Sequence, residues 1–167
     1  MYEYTLMTDA ATLHPYMVRE KKIDYQNMKQ IDNPDEIVRL VNTVFRLDER
    51  AEEHVYLITM NSRCDVTGVF LIGKGDSTTS ICSVRDMMQR VLLSGANGFV
   101  VVHNHPGGDM TPSSFDEKLT KRAATVGMLF QVQLLDSIIV TRNGWLSFKM
   151  SLPDVLEPYE VPNEWIK

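Results

Sequence analysis

Residues 99–117 read FVVVHNHPGGDMTPSSFDE. The wholly apolar run Phe99 to Val102 follows an Asn97-Gly98 turn and reads as a buried strand. The polar cluster HNH comes directly at its C-terminal end, the place where open α/β sheets put ligands. A helix is expected next. Thr111 can cap it, Pro112 suits the first turn, and Asp116 and Glu117 favour the positive end of the helix dipole. Leu119, Ala123 and Val126 supply its apolar face, and Gly127 is the expected stop.

Working outward, NPDEIVRLVNTVF predicts an amphipathic helix. Asn33 caps it, Pro34 takes the first position, and Ile37, Leu40, Val41, Val44 and Phe45 share one face. HVYLITMN and DVTGVFLIGKG read as two strands of an antiparallel hairpin. GKGDSTTSICS is a Gly/Ser/Thr-rich loop. Ser83 and Asp86 mark another helix start, with Met87, Met88, Val91 and Leu92 facing inward and Gly95 ending it. QVQLLDSIIVT and WLSFKM are the last strands. The order of elements predicts a three-layer α/β arrangement, a mixed sheet flanked by helices. Residues 1–32 are expected to form an N-terminal arm with one strand, Tyr2 to Met7. Residues 33–150 form the main domain, and residues 151–167 an extended C-terminal tail.

The chain of 167 residues is 44% hydrophobic and 23% charged, in the range of an ordinary globular domain. Its formal charge of −5 argues against a broad nucleic-acid-binding face. Two cysteines, Cys64 and Cys82, make neither a disulfide framework nor a Cys-rich zinc cage. No apolar run reaches about 18 residues, so no membrane span is expected. The first residues lack a basic stretch followed by an apolar one, so no signal peptide is expected. A cytoplasmic location follows from these readings.

The chemistry lies in the HNH cluster. In extended backbone residues i and i+2 point the same way, so His103 and His105 can meet one metal. Asp116, at the start of the following helix, can fold back as an oxygen ligand. Two imidazole nitrogens and one carboxylate oxygen suit zinc, one per chain, with a fourth position left for water. Zinc so held activates water near neutral pH, and a general base must then move its proton. Ser113 lies three residues before Asp116, on the same helix face, where its hydroxyl could support a developing oxyanion. Asp109 is a rival carboxylate in the loop between.

His103, His105, Ser113 and Asp116 fit, without a gap, the JAMM (MPN-plus) metalloprotease motif: H-x-H, seven residues, S, two residues, D. The wording HNHPGGD resembles the RadC branch of that superfamily. GDSTTSICSVRD and QVQLLDSIIV are similar to further RadC segments, so the resemblance runs over residues 33–150. It implies a JAMM/MPN-like fold of cytidine-deaminase-like architecture. It also implies a zinc metallopeptidase or isopeptidase acting on a peptide or isopeptide substrate. The family's active-site glutamate falls on Glu53, as general base and acid rather than ligand, with Glu52 the alternative by one residue. Chemistry alone does not select Glu53, which sits in the acidic run DERAEE.

Three positions depart from the RadC pattern: Gly107, Val84 and Ser137. The resemblance carries two further readings, a DNA-repair-associated or DNA-processing role and a non-catalytic binding module. The letters HNH are a coincidence with the HNH nucleases, which spread those residues over a ββα unit. A zinc nucleobase deaminase needs H-x-E and P-C-x-x-C, and neither occurs.

Overall fold

The computed structural model of the chain describes residues 1–25, 31–75 and 82–165. Much of the expected Gly/Ser/Thr-rich loop lies outside the described residues. The helix α1 (Pro34–Phe45) begins as its sequence dictates, with Asn33 accepting a hydrogen bond from the Glu36 amide. The expected hairpin is β3 (Glu53–Met60) and β4 (Val66–Gly75), paired antiparallel. Ser83 caps α2 (Val84–Leu93) through the Asp86 amide. Then come β5 (Gly98–Asn104), α3 (Ser114–Leu129), β6 (Gln133–Thr141) and β7 (Gly144–Ser147).

The N-terminal residues carry two strands where one is expected, β1 (Tyr2–Thr8) and β2 (Pro15–Lys22). They form an antiparallel hairpin, and β1 lies parallel to β4. Among the described residues the sheet has seven strands in the order β2-β1-β4-β3-β5-β6-β7. It is mixed: β5 and β6 run parallel, joined by α3, while β3 is antiparallel to both its neighbours.

Alternation along the strands divides the core in two. Tyr56, Ile58, Val100, Val102 and Ile138 pack beneath α1. Val55, Leu57, Phe99 and Val101 pack beneath α2 and α3. The protein is therefore the expected three-layer α/β fold, a mixed sheet between helices. All seven residues of β5 are buried. By the same alternation His103 points to the layer that holds α3, and Asn104 points to the layer that holds α1.

Two helix boundaries differ from expectation. The cap of α3 is Ser113 rather than Thr111, because Ser113 and Asp116 form a reciprocal capping box. The Thr111 amide is instead taken by Asp109 Oδ1 at 2.9 Å. Nor does Gly127 stop α3, which runs on to Leu129 and turns at Gln131 in the left-handed region, φ 56°. Gly127 answers a close approach: a Cβ there would lie 2.5 Å from the Val132 carbonyl oxygen.

The expected strand WLSFKM is cut at Ser147. Buried Asp136 accepts hydrogen bonds from the Ser147 hydroxyl and the Lys149 amide, drawing the chain into the short helix α4 (Phe148–Ser151). A second short helix, α5 (Pro153–Leu156), follows. The chain beyond packs on α3, where the Tyr159 amide donates to Thr125 Oγ1 at 2.9 Å. No helix among the described residues is long and apolar enough to cross a membrane.

Candidate metal centre

Three side chains converge where β5 ends and α3 begins. His103 Nε2 lies 3.1 Å from His105 Nε2 and 3.3 Å from Asp116 Oδ1. His105 Nε2 lies 3.6 Å from Asp116 Oδ2. The edge of a tetrahedron whose arms match zinc–nitrogen and zinc–oxygen bonds is about 3.3–3.5 Å. The observed separations, 3.1, 3.3 and 3.6 Å, bracket that length, with the two histidines facing different oxygens of the Asp116 carboxylate. Two neutral imidazoles and a carboxylate are also the donor types zinc takes. The residues present thus fit a single divalent ion. Among the described residues, this is the one group of three or more His, Cys, Asp or Glu side chains that meet so closely.

Each of these side chains is held by its own surroundings. His103 is fixed within the sheet, and the His105 amide donates to the Val140 carbonyl at 3.0 Å, which extends the β5–β6 pairing past the end of β5. His105 Nδ1 lies 2.8 Å from the Asp109 carbonyl oxygen. With the proton on Nδ1, Nε2 keeps its lone pair for a metal. Asp109 therefore contributes its backbone to His105. Its carboxylate turns to Thr111, so it does not join the triangle.

Asp116 is buried, and burial pushes its carboxyl pKa up. Hydrogen bonds from His103, His105 and Ser113 outweigh that and hold it well below the ordinary carboxylate range. The same pairing raises His105: the Asp116 hydrogen bond outweighs burial, which lowers it, and the Asp109 carbonyl and, least, Glu53 add to the rise. Ser113 is bound tightly here: its hydroxyl lies 2.6 Å, and its amide 2.8 Å, from Asp116 Oδ2. Its one hydroxyl proton is directed at the carboxylate.

The two glutamates separate cleanly. Glu53 opens β3 and lines the cavity that also exposes His103, His105, Ser113 and Asp116. Glu52 is solvent-exposed and pairs with Lys74 at 2.8 Å. The cavity, ≈ 530 Å³, continues from His103, His105 and Asp116 between the sheet and α2–α3, along Val55, Val101, Phe115 and Leu119. Ser137 lies on its floor, bonded to Thr120 Oγ1 at 3.1 Å. His54 is buried and faces away, with Nδ1 3.0 Å from the Glu52 carbonyl oxygen.

A family model described as the RadC-like JAB domain matches residues 31–152. This chain belongs to that family. Its RadC-like relatives include the UPF0758 protein of Thermotoga maritima, 30% identical over 143 residues, covering 86% of this chain and 64% of the relative. The UPF0758 protein of Desulfitobacterium hafniense is 30% identical over 119 residues, 71% of this chain and 52% of the relative. That of Chlorobium chlorochromatii is 31% identical over 104 residues, 62% and 47% respectively. The chain spans about half the length of most of these RadC-like relatives.

One residue of the site escaped the sequence reading. Asn104, between the two histidines, is 1% exposed and bonded to the backbone at the start of β3. Its partners lie some 50 residues earlier in the chain, so no local pattern marks it.

Proposed function

We propose that this RadC-like domain is a zinc-dependent hydrolase of amide or isopeptide bonds. The observation that carries the reading is the convergence of His103, His105 and Asp116, at zinc-ligand spacing, in a cavity shared with Glu53. His103, His105 and Asp116 would hold the ion. When bound, zinc supplies a Lewis acid that activates water and polarises the scissile carbonyl.

The chain's own residues do the rest. Glu53 takes the proton from the attacking water at its carboxylate and delivers it to the leaving amine nitrogen. Ser113 orients the Asp116 carboxylate, and this takes precedence over the oxyanion support expected from sequence, because its proton already points at Asp116. The apolar walls of the cavity receive the substrate chain beside the scissile bond and exclude water.

The test is a screen of zinc-loaded protein against peptide and isopeptide-linked substrates, with Glu53→Gln alongside. The reading requires turnover by the wild type and none by the variant, at equal zinc content. Zinc-loaded wild type that cleaves nothing, or a variant that stays fully active, contradicts it.

A further inference from the structure

Both polar atoms of the Asn104 carboxamide are hydrogen-bonded to one short stretch of backbone. Its Oδ1 accepts from the His54 amide at 2.8 Å. Its Nδ2 donates to the Glu52 carbonyl at 3.1 Å and to the Arg50 carbonyl at 3.3 Å. A carboxamide has one acceptor atom and two N–H donors, and all are used. The Glu52 carbonyl belongs to the peptide unit just before Glu53, and the His54 amide to the unit just after it. One buried side chain thus grips both peptide groups that set the backbone angles of Glu53.

The sheet explains why a side chain is needed there. Backbone pairing between β3 and β5 ends at Val55 and His103. Carrying that register two residues further sets Glu53 opposite His105. Asn104 bridges the gap with its carboxamide, while His105 is tied to β6 on the other side through Val140. Because residues alternate along β5, the histidines face the cavity and Asn104 faces the α1 layer. It reaches the backbone of Glu53 from behind the site.

We propose that Asn104 is a positioning residue that fixes the aim of the Glu53 carboxylate relative to the His103–His105 pair. The consequence for turnover rests on the role proposed above for Glu53; the clamp itself does not. Aspartate at this position would set carboxylate oxygens against two carbonyl oxygens. Alanine would leave the buried His54 amide without its acceptor and take one donor each from the part-buried Arg50 and Glu52 carbonyls.

The test uses the full chain loaded with zinc, comparing wild type, Asn104→Ala and the milder Asn104→Ser. Amide exchange is the substrate-free readout. In Asn104→Ala the His54 amide should exchange about tenfold faster or more, while Leu57 and Ile58 stay protected. Both variants should retain one zinc per chain, and their crystal structures should show the Glu53 carboxylate displaced with the three ligands in place. On any substrate that wild type cleaves and Glu53→Gln does not, kcat should fall about tenfold with KM nearly unchanged. The serine variant should lie between the other two.

If Asn104→Ala does not fold, the serine variant decides by the same readouts. Unchanged His54 exchange with Glu53 in its original position overturns the proposal. So does a loss of turnover that merely follows loss of zinc. A wild type without hydrolytic activity overturns the proposed function instead, and leaves exchange and crystallography to judge the clamp.

Discussion

Ser113 and Asp116 bind each other in both directions: Ser113 donates its hydroxyl and its amide to Asp116 Oδ2, and the Asp116 amide donates back to Ser113 Oγ at 3.2 Å. A helix cap and the orientation of a candidate metal ligand are therefore one arrangement. Ser113→Ala should cost about 1 kcal/mol in metal-free stability, from the lost cap. It should also weaken zinc binding by about tenfold to a hundredfold, because the carboxylate loses a partner that aims it. Thermal melts of the metal-free protein and competition with a chelator measure the two effects. A variant with normal zinc affinity and impaired turnover alone would point back to oxyanion support.

The two neighbouring glutamates should behave oppositely. Glu53→Gln is expected to keep zinc and lose at least about a hundredfold in turnover, the usual contribution of a general base. Glu52→Gln removes an exposed ion pair with Lys74 and should leave both within about twofold. Parallel metal analysis and kinetics separate them.

Asp136 offers a prediction about pH. Burial raises its carboxyl above the ordinary value, against the hydrogen bonds from Ser147, Lys149 and Ser137 that lower it. A raised folded pKa means that the folded protein holds the proton more readily than the unfolded chain. Its contribution is therefore fully present below the unfolded value, about 3.9, and declines as pH rises through the folded value. Asn at this position cannot ionise, so Asp136→Asn should gain stability relative to wild type as pH rises from 4 towards 7. Asp136→Ala should lose roughly 3 kcal/mol at pH 4 and less at pH 7, since it strands the buried Ser137 amide and Ser147 hydroxyl and takes the acceptor from the part-buried Lys149 amide. Denaturant melts at the two pH values check both.

Gly127→Ala should destabilise the protein by about 1–3 kcal/mol. The added methyl meets the Val132 carbonyl oxygen at 2.5 Å and Phe99 Cε1 at 3.2 Å. Backbone cannot move aside as a flexible side chain can. An unchanged melting temperature would show that the turn after α3 relaxes freely.

What the sequence made legible follows from distance along the chain. His103, His105 and Asp116 lie within one strand–loop–helix unit, so spacing alone brings them to one place. Glu53 belongs to a different strand, and its acidic neighbours hide it; only the resemblance to RadC singles it out, and the fold then puts it in the same cavity. The second N-terminal strand was illegible because β2 is largely exposed and lacks an apolar alternation. The spacing of Ser113 and Asp116 places them on one helix face. The capping box that makes Ser113 the cap instead is a reciprocal contact that spacing permits but does not require. Asn104 was silent because its partners at Arg50, Glu52 and His54 meet it only across the sheet.

The most direct test of the central claim is the zinc content of the purified full chain, after dialysis against zinc and then against metal-free buffer. The account predicts one tightly held zinc per chain in the wild type and essentially none in His105→Ala. A folded wild type that retains no zinc, or a His105→Ala variant that retains as much as wild type, would contradict it.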